Sequence, residues 1–241
     1  MNNQAVALVA ILLLYPVIAV LVPEPHWFLW WWRTGGDGPV PPDVMERVRN
    51  NEGNLLIVKF LILVIASFFS ARQLSISVGS LGFRLEQPAG TLFMGIVGAV
   101  LLLGWTFAMR TERLRMAKCG VHSQNFLFRE PILKIFIILV LGGFAEEFWR
   151  ALALTTFDKH GISVGYGIFL TSVFFGIGHV TSYRSFGYVL GKMLAPAILG
   201  VVLAILFLWS RSLFTPFVMH VLLNSASALM GRRRVVTAQS T

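Results

Sequence analysis

The chain has 241 residues, 56% of them hydrophobic and 13% charged, with a mean hydropathy of +0.74. A soluble domain carries about 25% charged residues, so this composition excludes an ordinary soluble protein and indicates a single membrane domain over residues 1–241. The net charge of +9 does not indicate nucleic acid, because the basic residues sit in short loops between apolar runs rather than on a soluble, aromatic-studded surface. The single cysteine, Cys119, excludes a disulfide framework or a cysteine zinc cluster and reads as an incidental thiol in the basic stretch RTERLRMAKCG.

The first predicted span covers residues 5–22 and ends at Pro23. The sequence PHWFLWWWR follows, where Trp27, Trp30, Trp31 and Trp32 read as an interfacial belt. Residues 34–54 contain GGDGPVPPD and read as a polar, turn-forming loop. A second span covers residues 55–69, with Lys59 near one end, where its long side chain can snorkel to the interface. The third covers 91–109 and leads into the most basic loop, 110–130. The fourth, 131–154, carries AEEFWRA, and the fifth, 164–180, ends in FFGIGHV. The sixth covers 193–209 and the seventh 213–230, after which come Gly231 and three arginines, Arg232, Arg233 and Arg234. The expected fold is therefore all-α, a polytopic transmembrane helix bundle of about seven spans.

Positive residues are retained on the cytoplasmic side of a membrane. The loops after spans one, three and five, together with the C-terminus, hold 13 Lys/Arg, against four in the remaining loops: Arg72, Arg84, Lys159 and Arg211. With seven spans the N-terminus is expected outside and the C-terminus in the cytoplasm.

Of the 11 acidic residues, only Glu146 and Glu147 lie deep within an apolar span, where a charge costs about 2.5–3.5 kcal/mol on insertion scales. Arg150 follows at i+4 and i+3 from them, within reach of either carboxylate. His179 closes the fifth span, while His220 lies in the seventh with Asn224 one helical turn beyond it on the same face. If the three faces converge, a buried cavity gains a carboxylate, two imidazoles and a carboxamide. A buried carboxylate can activate water for amide hydrolysis, with a His orienting that water and the other polar groups donating to the oxyanion. The same Glu146, His179 and His220 could instead ligate zinc, leaving an open position for water. Counted from the loop ends, His179 is expected a turn or two out of level with Glu146 and His220. No HExxH occurs, and no span carries GxSG or GxGD.

Glu146-Glu147 with Arg150, Phe175-x-x-x-His179, and His220-x-x-x-Asn224, in that order, resemble the CAAX prenyl endopeptidase and bacteriocin-processing family of intramembrane proteases. The resemblance covers residues 131–225, the expected catalytic core, and leaves 1–90 as a variable N-terminal region. It implies Glu146 as the water-activating base, His179 as a holder of that water, and His220 with Asn224 as the oxyanion site, supported by Glu147 and Arg150. It also implies no cofactor, with zinc as the alternative, and a membrane-anchored protein or peptide substrate cut near its C-terminal region within the lipid bilayer. Prenylated ends, bacteriocin leaders and the C-terminal sorting tails of a myxosortase-like branch are the substrate types. The implied location is a bacterial inner membrane. The family's first motif usually places three residues between the Glu pair and the Arg, whereas only Phe148 and Trp149 stand there in this chain. Two rivals use the same residues differently: a proton-coupled transporter with a Glu/His relay, disfavoured by the lack of a visible inverted repeat, and a non-catalytic immunity or chaperone-like membrane protein.

Overall fold

A computed structural model describes residues 3–21, 42–83, 88–108, 131–179 and 186–239. Among the described residues there are seven helices and no strand: α1 (Asn3–Leu21), α2 (Pro42–Gln73), α3 (Pro88–Ala108), α4 (Ile132–Lys159), α5 (Val164–Gly178), α6 (Phe186–Ser210) and α7 (Phe214–Gln239). The all-helical bundle agrees with the sequence expectation. The tryptophan belt at 27–32, the basic loop at 110–130 and Cys119 lie outside the described residues.

Several helices outrun the apolar stretches that announced them. The clearest correction is at α2, which begins at Pro42, inside the segment expected to be a loop to residue 54. Pro suits the first turn of a helix, where its missing N–H has no intrahelical partner. Hydropathy marks where a helix meets hydrocarbon, whereas the backbone ladder continues into polar sequence. Likewise α6 starts at Phe186 rather than 193, and α7 continues to Gln239, past the Arg run.

Two segments, Gly53–Gln73 and Met193–Ser210, combine the length and apolarity needed to cross a bilayer, and shorter apolar stretches occupy Val9–Ile18, Ala89–Val100 and Val164–Gly178. Only 28% of each long segment is buried, so neither is the core helix of a soluble protein. Phe69, Phe93, Leu133, Phe136, Ile198 and Trp209 all face outward, which fits a surface solvated by lipid rather than water.

The bundle is organised around α4, which packs against α1, α2, α5, α6 and α7. Every residue from Ala145 to Leu154 is consequently buried, the signature of a helix apolar neighbours surround on all sides. Glycines provide the close approaches: Gly142 lies against the Phe60 ring of α2 and Gly143 against Val221 of α7. The connections after α2, α4 and α6 meet at one end. There Lys159 Nζ donates to Leu74 O at 2.7 Å, Thr155 Oγ1 to Ser80 O at 3.4 Å, and Leu213 N to Gly82 O at 2.9 Å. Gly82 has φ +78° and leaves no room for a Cβ beside Leu213 N, so only glycine fits this junction without strain. An alternating up-and-down bundle requires these three connections to share an end.

Candidate active site

Five of the six sequence-predicted residues come together in the bundle interior. On α4, Arg150 Nη1 donates to both carboxylate oxygens of Glu147. From α7, His220 places Nδ1 2.8 Å from Glu147 Oε1 and Nε2 3.5 Å from Glu146 Oε2. A carboxylate oxygen accepts, so the Nδ1 contact fixes a proton on that nitrogen. The shortened Glu-Glu-Phe-Trp-Arg spacing has a direct outcome: at i+3 the guanidinium meets Glu147. Both oxygens of Glu147 are thereby engaged, while Glu146 retains an oxygen with no tight hydrogen bond. Glu146, Glu147, Arg150 and His220 are each at most 4% exposed.

Sequence reasoning missed a central member, Tyr15 of α1. Its hydroxyl donates to Glu146 Oε1 at 2.7 Å and lies 3.3 Å from His179 Nδ1. Tyr15 is fully buried between the rings of Trp149 and Phe175, at centroid separations of 5.0 and 5.7 Å. The N-terminal region expected to contribute little thus supplies a direct partner of Glu146. A tyrosine one residue before Pro16 in an apolar span was the available signal, because a phenol in hydrocarbon needs a hydrogen-bond partner. Pro16 lacks the N–H that would bond Leu12 O, and next to this opened turn the Trp149 indole donates to Ile11 O at 2.7 Å.

His179 lies directly after α5, where its Nδ1 is 2.8 Å from Phe175 O. A carbonyl can only accept, so Nδ1 carries the proton and Nε2 keeps a free lone pair. The tyrosine hydroxyl that bridges His179 and Glu146 absorbs the expected difference in level between them. Gly178 makes this possible: a Cβ there would fall 2.1 Å from Tyr15 Cε1. At Gly176 a Cβ would fall 2.6 Å from the backbone oxygen of Met193, so α5 is held against α6 on its other side.

Phe175 acts as the packing hub. Its ring lies 4.5 Å from that of His179 and 5.7 Å from that of His220, both edge-on, and under the Arg150 guanidinium at 4.4 Å. Nε and Nη2 of Arg150 are buried without a hydrogen-bond partner, which makes this aromatic face the main compensation for that side of the cation. Asn224 stands apart. It is half-buried on α7, and no hydrogen bond joins it to Glu146, Glu147, His179 or His220.

Lys59 does not snorkel outward. Its side chain is buried, with Nζ 5.6 Å from the Tyr15 ring centroid and 5.0 Å from that of Phe60. The aromatic faces on α1 and α2 draw the ammonium inward. Among the described residues, no three His, Cys, Asp or Glu side chains converge as metal ligands. A cavity of about 820 Å³ opens at the end where the three connections meet, lined by Thr91, Met94, Leu154, Phe207, Trp209 and Thr215 among others, and none of the clustered acids or histidines lines it.

Residues 128–226 match the family model described as type II CAAX prenyl endopeptidase Rce1-like. This segment is similar to the CAAX protease family. The match contains Glu146, Glu147, Arg150, Phe175, His179, His220 and Asn224 and leaves Tyr15 and Lys59 outside it. No curated protein and no solved structure matches the chain. The similarity supports an intramembrane protease of the CAAX type.

Proposed function

We propose that the protein is a glutamate-type intramembrane endopeptidase that hydrolyses a peptide bond near the membrane-anchored C-terminal region of a protein substrate. The observation that carries this reading is the division of labour between the two acids. Glu147 is saturated by Arg150 and His220, whereas Glu146 is held by one tyrosine hydroxyl and keeps Oε2 for a proton. A carboxylate fixed in this way is a general base positioned by its neighbours.

In the proposed reaction Glu146 Oε2 takes a proton from water as the water oxygen bonds to the scissile carbonyl carbon. His179 Nε2 accepts the water's other hydrogen as a hydrogen bond and so orients the attack. The carbonyl oxygen becomes an oxyanion, which accepts from the Asn224 amide and from the Nε2–H of a doubly protonated His220, whose Nδ1–H stays on Glu147. As the C–N bond breaks, the proton held by Glu146 passes to the departing nitrogen, and the carbonyl re-forms as a carboxylic acid. Oxyanion donors in dry sites are worth about 10²–10³ in kcat each. No metal enters this scheme. Zinc on Glu146, His179 and His220 is the second reading: the Nδ1 contacts of both histidines leave Nε2 as the nitrogen for a ligand, but the three side chains do not converge as a ligand set.

Further parts of the proposal are a multi-pass placement in a bacterial inner membrane with the C-terminus in the cytoplasm, residues 131–225 as the catalytic core, and prenylated ends or sorting tails as substrates. The test uses purified full-length protein with a farnesylated peptide ending in a CAAX tetrapeptide and a peptide with an apolar transmembrane tail. Cleavage of either, lost in Glu146→Gln and His220→Ala, is expected. Unchanged cleavage in Glu146→Gln, Glu147→Gln and His220→Ala alike would remove the catalytic assignment. Elemental analysis with activity after chelation separates the metal-free scheme from zinc.

A further inference from the structure

The cavity of about 820 Å³ at the shared end of the bundle lies apart from the clustered acids and histidines, and its size falls in the range of about 300–1,000 Å³ typical of small-molecule sites. Its depth in the membrane follows from the helices that wall it. The apolar segment Met193–Ser210 ends there, and on its last turn Trp209 is 70% exposed, as an indole at the headgroup level is. Gly90 and Thr91 of α3 line the cavity at the start of the apolar stretch Ala89–Val100. The lining is also electrically two-ended. Asp158 and Ser210 stand at the carbonyl ends of α4 and α6, whereas Thr91 and Thr215 stand in the first turns of α3 and α7, and Arg211 adds a full positive charge. Asp158 and Arg211 are both exposed and form no salt bridge with each other. Thr215 is fully buried, and its Oγ1 has no hydrogen-bond partner among the described residues, although a buried hydroxyl normally has one.

We propose that this cavity binds the headgroup of a zwitterionic phospholipid with a primary amine, its phosphate held by Arg211, Thr91 and Thr215 and its ammonium by Asp158. A phosphate matches the positive side twice, through the Arg211 guanidinium and through the N-terminal ends of two helices. A primary ammonium matches the negative side, because its N–H groups donate to the Asp158 carboxylate, which only accepts. Among the described residues α3 and α6 are not a closely packed pair, and Met94 and Phe207 give the cavity apolar walls on these two helices. Phe93 and Ile205 of the same helices face outward, so acyl chains leaving between α3 and α6 pass directly into hydrocarbon. The apolar walls at headgroup depth favour a lipid over a free phosphoamine. The site is independent of the protease reading, since none of its residues belongs to the cluster around Glu146.

The experiment adds dioleoyl phosphatidylethanolamine, phosphatidylglycerol or phosphatidylcholine to the full-length protein in a mild detergent and reads bound lipid by native mass spectrometry. Phosphatidylglycerol keeps the phosphate and lacks the amine, and phosphatidylcholine has an amine without N–H groups. The wild type is expected to hold phosphatidylethanolamine at least tenfold more tightly than either, as the loss of a charge-assisted hydrogen bond predicts. Asp158→Asn is expected to erase the preference over phosphatidylglycerol. Arg211→Asn is expected to weaken both lipids, and the turn is kept because Arg211 has φ +49°, which asparagine tolerates. Thr215→Val is expected to weaken both as well while raising the melting temperature of the lipid-free protein, since it removes a buried hydroxyl that has no partner. Equal retention of the three lipids by the wild type overturns the inference whether or not the variants fold. An undiminished preference in Asp158→Asn overturns it too. Soluble glycerophosphoethanolamine binding as tightly as the lipid overturns the lipid assignment in favour of a free phosphoamine.

Discussion

The Tyr15 hydroxyl donates to Glu146 Oε1 at 2.7 Å, joining positions 131 residues apart. It is the only tight hydrogen bond that Glu146 makes among the described residues, so the carboxylate's orientation depends on the first helix.

Tyr15→Phe removes that bond and keeps the ring between Trp149 and Phe175. A hydrogen bond to a charged group is worth about 1.5–3 kcal/mol, so kcat is expected to fall about 10–100-fold. KM and the detergent melting temperature are expected to stay close to wild type. A loss of stability with kcat unchanged would assign Tyr15 to packing alone.

Gly178→Ala tests the same contact sterically. A methyl group 2.1 Å from Tyr15 Cε1 must displace the ring, at about 1–3 kcal/mol for overpacking. Activity is expected to drop at least as far as in Tyr15→Phe, with a lower melting temperature. Gly165→Ala, where a Cβ meets nothing within 4 Å, is the control and is expected to be silent in both assays.

Among the described residues, Arg150→Met leaves the buried Glu147 with His220 as its hydrogen-bond partner. Breaking one side of a buried ion pair costs about 3–5 kcal/mol, which predicts the largest fall in melting temperature of any single change in the cluster. The double variant Glu147→Gln with Arg150→Met is expected to recover part of that stability. Additive losses in a double-mutant cycle would contradict the coupling seen between these side chains.

Asn224→Ala touches no hydrogen bond to the clustered acids and histidines, so its melting temperature is expected to match the wild type. Its kcat is expected to fall about 10²–10³-fold if the amide meets the oxyanion. Wild-type kcat would exclude Asn224 from the proposed oxyanion site.

The sequence made the histidines and the Glu pair visible because polar residues in an apolar run are costly and therefore informative. His220 and Glu146 could be assigned to one cluster without coordinates, since few other groups in hydrocarbon could satisfy them. Helical spacing put Arg150 within reach of either glutamate and left the choice of Glu147 to the packed structure. Tyr15 and Lys59 were harder to see. Tyrosine and lysine are common near the ends of membrane helices, and hydropathy does not separate an outward-reaching ammonium from one turned toward aromatic rings. The early start of α2 at Pro42 was hidden for a related reason: its first turns are polar, and no apolar period marks them.

The clustered side chains come from both extremes of the chain, with Tyr15 on the first helix and His220 on the last. Before α7 packs into the bundle, Glu147 has no His220 and Glu146 lacks one of its two neighbours. Assembly of the cluster therefore waits on the docking of α7, the helix that brings His220 to both glutamates.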